Sequence, residues 1–204
     1  MIKKLANLLG KDYVVNDEHE LVEIYHITNY GVDQENYVKM KNHMNDWTLY
    51  EVQRGESFEI CEFGNYDIAI CGLYILVKKI FERPKGNSKI KYELTQCTES
   101  NSDNISSILV KEYDKKFFNL NNFKKGAIVL EKVNGYYDIN YCGLNDERIN
   151  IVNGRTFSNA VSVFYNYIVI VHEFEKLINS LISIMNIKLS VEEREAIKRV
   201  YLGK

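Results

Sequence analysis

The feature that most constrains this chain is a plan of three short strands followed by a helix, written twice. Residues 37–44 alternate Val38, Met40 and Met44 with Lys39, Lys41 and His43. That period of two puts one row in a core and the other in water. Asn45 and Asp46 follow as turn-tolerant residues, then residues 47–54, rich in aromatic and β-branched types, a turn at Gly55 and Glu56, and a third strand at 57–62. Phe63 and an apolar helix close the first copy. The second copy runs through residues 127–133, Asn134 and Gly135, residues 136–142, a loop, residues 148–152, then Phe157 and a helix. Asn-Gly between two such runs is the strongest short-range hairpin signal. Pairing Trp47 with Tyr137 gives an offset of 137 − 47 = 90, and Phe63 with Phe157 gives 157 − 63 = 94, so the loop after the second strand is longer in copy two. Repeats of this kind set the architecture. The expected fold is α+β, two tandem β-β-β-α units with antiparallel sheets, each preceded by a helix, plus C-terminal helices.

The leading helices are expected at residues 18–30, where Leu21, Ile24, Tyr25 and Thr28 fall at helical spacing, and at 105–118, with Ile108, Leu109, Tyr113 and Phe117. The only proline, Pro84, sits in a Pro-Lys-Gly-Asn-Ser stretch that reads as a boundary. The expected organisation is therefore an N-terminal unit at 1–83, a linker or exposed loop at 84–104, and a C-terminal unit at 105–204. Residues 157–185 read as one long helix. A last helix opens at Ser190-x-x-Glu193, a capping box in which each side chain satisfies the other residue's free amide.

At 204 residues and 46% hydrophobic content the chain has ample material for a core. Its net charge of −2 hides an asymmetry: residues 1–83 hold 9 Lys and Arg against 14 Asp and Glu (−5), and residues 84–204 hold 17 against 14 (+3). The acidic first half disfavours nucleic acid as a partner, because phosphate contacts require clustered cations. The apolar runs at 68–77 and 164–171 fall short of the ~20 residues that span a bilayer. With no secretory leader expected at the basic start, the chain reads as cytoplasmic, with no membrane association.

Signatures of catalysis are scarce. His172-Glu173 begins like a zinc-protease helix, but Lys176 stands where the second histidine belongs. Cys61, Cys71, Cys97 and Cys142 have no metal-ligand spacing, and the glycines form no phosphate-binding loop. No cofactor and no metal are expected. His172 reads as a residue at the margin of an apolar face.

The string Leu130-Glu131-Lys132-Val133-Asn134-Gly135-Tyr136-Tyr137 and the pattern Trp47-x-x-Tyr50-x-x-x-Arg54-Gly55, followed by Phe63 with Ala69 and by Phe157 with Ala160, resemble the small bacterial immunity proteins encoded beside polymorphic or contact-dependent toxins. The resemblance covers about half of the chain. It implies a cytoplasmic antidote that binds a cognate toxin domain and has no turnover of its own. On that reading the toxin-binding residues are Tyr137 and Tyr141 on the aromatic strand, Asp146, Glu147 and Arg148 in the longer loop, and Glu51 and Glu59 on copy one. Two other classes stay open: a small hydrolase or transferase using Cys142 with a histidine such as His26 or His43, and a self-associating scaffold.

Overall fold

The computed structural model describes residues 1–204 and divides into two compact units. One comprises Met1–Arg83 with Lys176–Gly203, the other Pro84–Glu175 with Lys204. The fold is α+β, with one five-stranded antiparallel sheet and one mixed four-stranded sheet.

The first unit opens with helix α1 (Ile2–Leu9), then a meander of five strands, β1 (Tyr13–Glu18), β2 (Leu21–Thr28), β3 (Gly31–His43), β4 (Asp46–Gln53) and β5 (Glu56–Phe63), before helix α2 (Tyr66–Phe81). Tight turns between strands explain the meander. His19, Met44 with Asn45, and Arg54 with Gly55 all take positive φ, the handedness that matches strand twist in two-residue hairpins. One face of the sheet carries Val22, Ile24, Val38, Met40 and Leu49, all fully buried. Trp47 on that face meets Tyr66 edge-on at 4.9 Å. Helix α2 is buried from Ala69 to Lys78 and begins at Asn65, whose side chain accepts the amides of Asp67 and Ile68. Helix α6 (Val191–Leu202) packs against α2 and starts with the capping box of Ser190 and Glu193.

The second unit carries helices α3 (Ser88–Thr95) and α4 (Asn104–Leu109), then strands β6 (Phe118–Leu120), β7 (Ala127–Val133), β8 (Tyr136–Cys142) and β9 (Arg148–Arg155). Strand β6 pairs parallel with β7, and the others are antiparallel. Helix α5 (Phe157–Met185) lays Phe157 edge-on against Tyr137 at 5.2 Å and Phe164 against Phe118 at 6.4 Å, which seats its first turns on the face of Ile128, Leu130 and Ile139. His172 packs between Tyr113 at 5.2 Å and Phe117 at 5.3 Å. From Lys176 onward α5 belongs to the first unit.

Several expectations are corrected. Residues 18–30 form the β1–β2 turn and all of β2 instead of a helix. Val22 and Ile24 alternate inward there, and pairing with β1 on one side and β3 on the other satisfies the backbone. At 105–118 a helix does form, but it ends at Leu109, and Asp114 caps a separate 3₁₀ turn over Lys115–Phe117. The 84–104 segment is not an exposed loop. Asn87 accepts the amides of Lys89 and Ile90, α3 follows, and Ile90 and Leu94 are buried one helical turn apart. The two sheets are also unmatched, since five antiparallel strands in one stand against four mixed strands in the other. The first hairpin tip lies at Met44 and Asn45, with His43 opposite Asp46. A tip one residue later would shift the pairing by two residues, keeping each side chain on its face but placing Leu49 opposite Asn42 instead of Met40.

No helix is long and apolar enough to cross a membrane.

Candidate functional site

The longer loop of the second unit is a pinned, charged edge. The amide of Gly143 donates to the Glu147 carbonyl at 2.8 Å and closes the loop, with Asp146 at φ 62, a conformation that aspartate tolerates. Lys125 holds Asp146 at 2.8 Å. Arg148 donates to Glu131 at 2.6 Å and lies over the Phe123 ring at 5.4 Å. From Glu131 a polar ladder crosses the outward face of the sheet. Asn140 donates to Glu131 at 3.1 Å, Asn150 donates to Asn140 at 3.1 Å and also to Asn153. Asp138 accepts the Gly154 amide at 2.8 Å and holds the end of β9. The arrangement is rigid, because its polar groups are largely committed to one another.

Tyr137 and Tyr141 do not join this edge. Tyr141 is fully buried and Tyr137 nearly so, because α5 covers the face on which they stand. They hold the core and have almost no surface to offer a partner. Glu51 is half-buried. It accepts from Gln53 on its own strand and lies near Lys79 of α2, whose pKa burial lowers against the pull of that carboxylate. Glu59 is exposed on β5, an edge strand. Glu147 is exposed in the loop. Of the expected residues, Asp146, Glu147 and Arg148 are therefore brought together, Glu51 and Glu59 stand in the other unit, and the two tyrosines are structural.

The cysteines are free thiols, and Cys71, Cys97 and Cys142 are buried. Burial pushes the thiols of Cys61 and Cys71 up to about 12, against the nearby Lys79 in the case of Cys61. It also raises Cys142, although the Lys124 amide and Arg148 pull the other way. A nucleophilic cysteine needs the opposite environment. His26 stacks on Phe81 at 5.2 Å and tilts against Tyr13 at 5.3 Å, inside a cluster where Tyr13 donates to Glu82 at 2.8 Å. No group of three or more His, Cys, Asp and Glu residues is arranged to hold a metal ion.

A surface that the sequence reading missed lies at the β2–β3 hairpin of the first unit. Its apex is ordered by Thr28, whose hydroxyl donates to the Gly31 carbonyl at 3.0 Å and accepts the Tyr30 amide at 3.2 Å. Tyr30 is 101% exposed, flanked by Ile27 and Val32, which pair across the hairpin and are themselves exposed. Three residues after Tyr30, on β3, Asp33 gathers the amides of Glu35 at 3.0 Å and Asn36 at 2.9 Å, making a bulge. Burial acts to raise the Asp33 pKa, but these donors outweigh it and leave the carboxyl below its ordinary value. The Glu35 carbonyl also accepts the Arg54 amide at 2.7 Å. Beneath the bulge, Tyr25 and Tyr37 stack at 4.5 Å on the sheet face that α2 does not cover, and Tyr25 donates to Glu23 at 2.8 Å. The signal available beforehand was Asn29-Tyr30-Gly31, a turn string carrying an aromatic residue, within a stretch that the helical spacing obscured.

Comparison with protein-family models, with curated proteins and with solved structures finds no match to this chain.

Proposed function

We infer that this protein is a non-catalytic inhibitor of the immunity type, a cytoplasmic antidote that binds and neutralises a cognate bacterial toxin domain. The observation that carries the reading is the β2–β3 hairpin, where a fully exposed Tyr30 stands on an apex that Thr28 closes by accepting the Tyr30 amide and donating to the Gly31 carbonyl, next to the exposed Ile27 and Val32. Exposed aromatic residues dominate protein interfaces, because tyrosine brings large contact area at small entropic cost. Clustered apolar exposure also marks a contact surface better than scattered residues do. The buried, proton-holding thiols support binding over nucleophilic chemistry. The charged edge at Asp146, Glu147 and Arg148 is a second contact surface on this reading. The shared order of three antiparallel strands and a helix, β3 to β5 with α2 and β7 to β9 with α5, supports treating the two as variants of one plan.

The test is co-expression with the toxin domain encoded by the adjacent gene, followed by purification. The expected result is rescue of growth and a stable complex. Continued killing in cells that hold soluble, folded protein would overturn the reading.

A further inference from the structure

The segment from residue 19 to residue 38 contains no lysine and no arginine but four carboxylates, Glu20, Glu23, Asp33 and Glu35. Glu20 lies in the β1–β2 turn, at the far end of β2, whereas Glu23 stands on β2 and Asp33 and Glu35 lie in the bulge beside the exposed apex. Next to the apex is a concavity of about 550 Å³ on the uncovered sheet face, lined by Val14, Asn16, Tyr25, Val32, Gln34 and Tyr37. Its lining is aromatic, aliphatic and amide in character, the Glu23 carboxylate is tied to the Tyr25 hydroxyl beside it, and Lys39, cross-strand from Glu23, lies over the Tyr50 ring at 5.6 Å. Stacked tyrosine faces near carboxylates attract cations, through the ring quadrupole at short range and through the net charge at longer range.

Resting on the inhibitor reading, we propose that this concavity receives a lysine- or arginine-bearing segment of the protein partner, while Tyr30 inserts into an apolar recess beside that segment. Charge complementarity selects this occupant. A second acidic surface would be repelled by Glu23, Asp33 and Glu35, and a purely apolar segment would leave the Asn16 and Gln34 amides without partners.

Binding of the adjacent-gene toxin domain to the full chain is measured for the wild type and for Tyr30→Ala, Gln34→Lys, Glu35→Gln and Met44→Ala, after a thermal melt confirms that each variant folds. Met44 is an exposed apolar residue at the opposite end of β3 and serves as the control. The expected result is an affinity loss of at least about tenfold for Tyr30→Ala through faster dissociation, and a similar loss for Gln34→Lys through slower association. Glu35→Gln should lose about two- to fivefold at low salt and nothing at high salt, and Met44→Ala should match the wild type. Unchanged binding of both Tyr30→Ala and Gln34→Lys beside a wild type that binds and protects would overturn the docking surface and leave the inhibitor reading intact. A loss for Tyr30→Ala with no loss for Gln34→Lys would overturn the basic occupant. A wild type that neither binds nor protects would overturn both.

Discussion

Gly72 of α2 stands so near the ring of Phe63 that a Cβ on it would lie 2.6 Å from Phe63 Cε2 and 3.0 Å from Leu49 Cδ1. The helix thus approaches the end of β5 more closely than any side chain at that position permits. Gly72→Ala adds about 1 kcal/mol of helix propensity but forces Phe63 or the helix to move, and overpacking of this kind costs roughly 1–3 kcal/mol. Net destabilisation is expected, read as a lower denaturation midpoint. A midpoint that rises would mean that Phe63 swings aside freely.

The cap of α3 offers a local test of the 84–104 segment, where the composition predicts a linker or exposed loop. Asn87→Ala removes the acceptor for the Lys89 and Ile90 amides. The expected loss is about 1 kcal/mol, and Asn87→Ser should restore most of it, since serine also caps. Equal stability of all three proteins in a chemical melt would show the cap to be idle.

Arg148 and Glu131 test whether the polar ladder acts as a unit. The Glu131 side chain is only 14% exposed and accepts from both Arg148 and Asn140. Arg148→Ala leaves a half-desolvated carboxylate with one donor fewer, so a loss of roughly 1 kcal/mol is expected, above the usual value of an exposed ion pair. In a double-mutant cycle, Glu131→Gln should remove most of that loss, and full additivity would show that the two residues do not cooperate.

Thiol chemistry provides the pH test. Burial raises Cys61 and Cys71 from 9.0 to about 12 in the folded chain. Because the folded pKa lies above the unfolded one, their contribution to stability is fully present below pH 9 and is lost as pH climbs toward 12. Folded protein should therefore alkylate slowly at neutral pH and lose stability in alkali. Replacing both residues with alanine should flatten that alkaline decline, whatever the cavities cost near neutrality. An unchanged slope would assign the decline to other groups.

Much of the fold was legible wherever it is encoded locally. The Ser190 and Glu193 box, the Asn134-Gly135 tip and the limits of the long helix at Phe157–Met185 all appear as read, since caps, tight turns and helical periodicity depend on neighbours a few residues apart. Residues 18–30 were misread for the opposite reason. Leu21, Ile24, Tyr25 and Thr28 suit a helical stripe, and only the presence of β1 and β3 on either side makes Val22 and Ile24 the inward row of a strand.

What the residues alone determined at the candidate surfaces is chemistry and loop placement. Asp146, Glu147 and Arg148 were legible as a polar connection, and the carboxylates of the first half as an acidic excess. Exposure was decided by tertiary structure. Tyr137 and Tyr30 are the same residue type, yet one lies under α5 and the other stands free at a turn, because α5, distant in sequence, covers one face of the sheet that carries Tyr137 and no side chain covers Tyr30 at the β2–β3 apex. The parallel pairing of Phe118–Leu120 with β7 has the same origin. A three-residue strand has too little local preference to specify a partner, and the partner's unpaired edge supplies it.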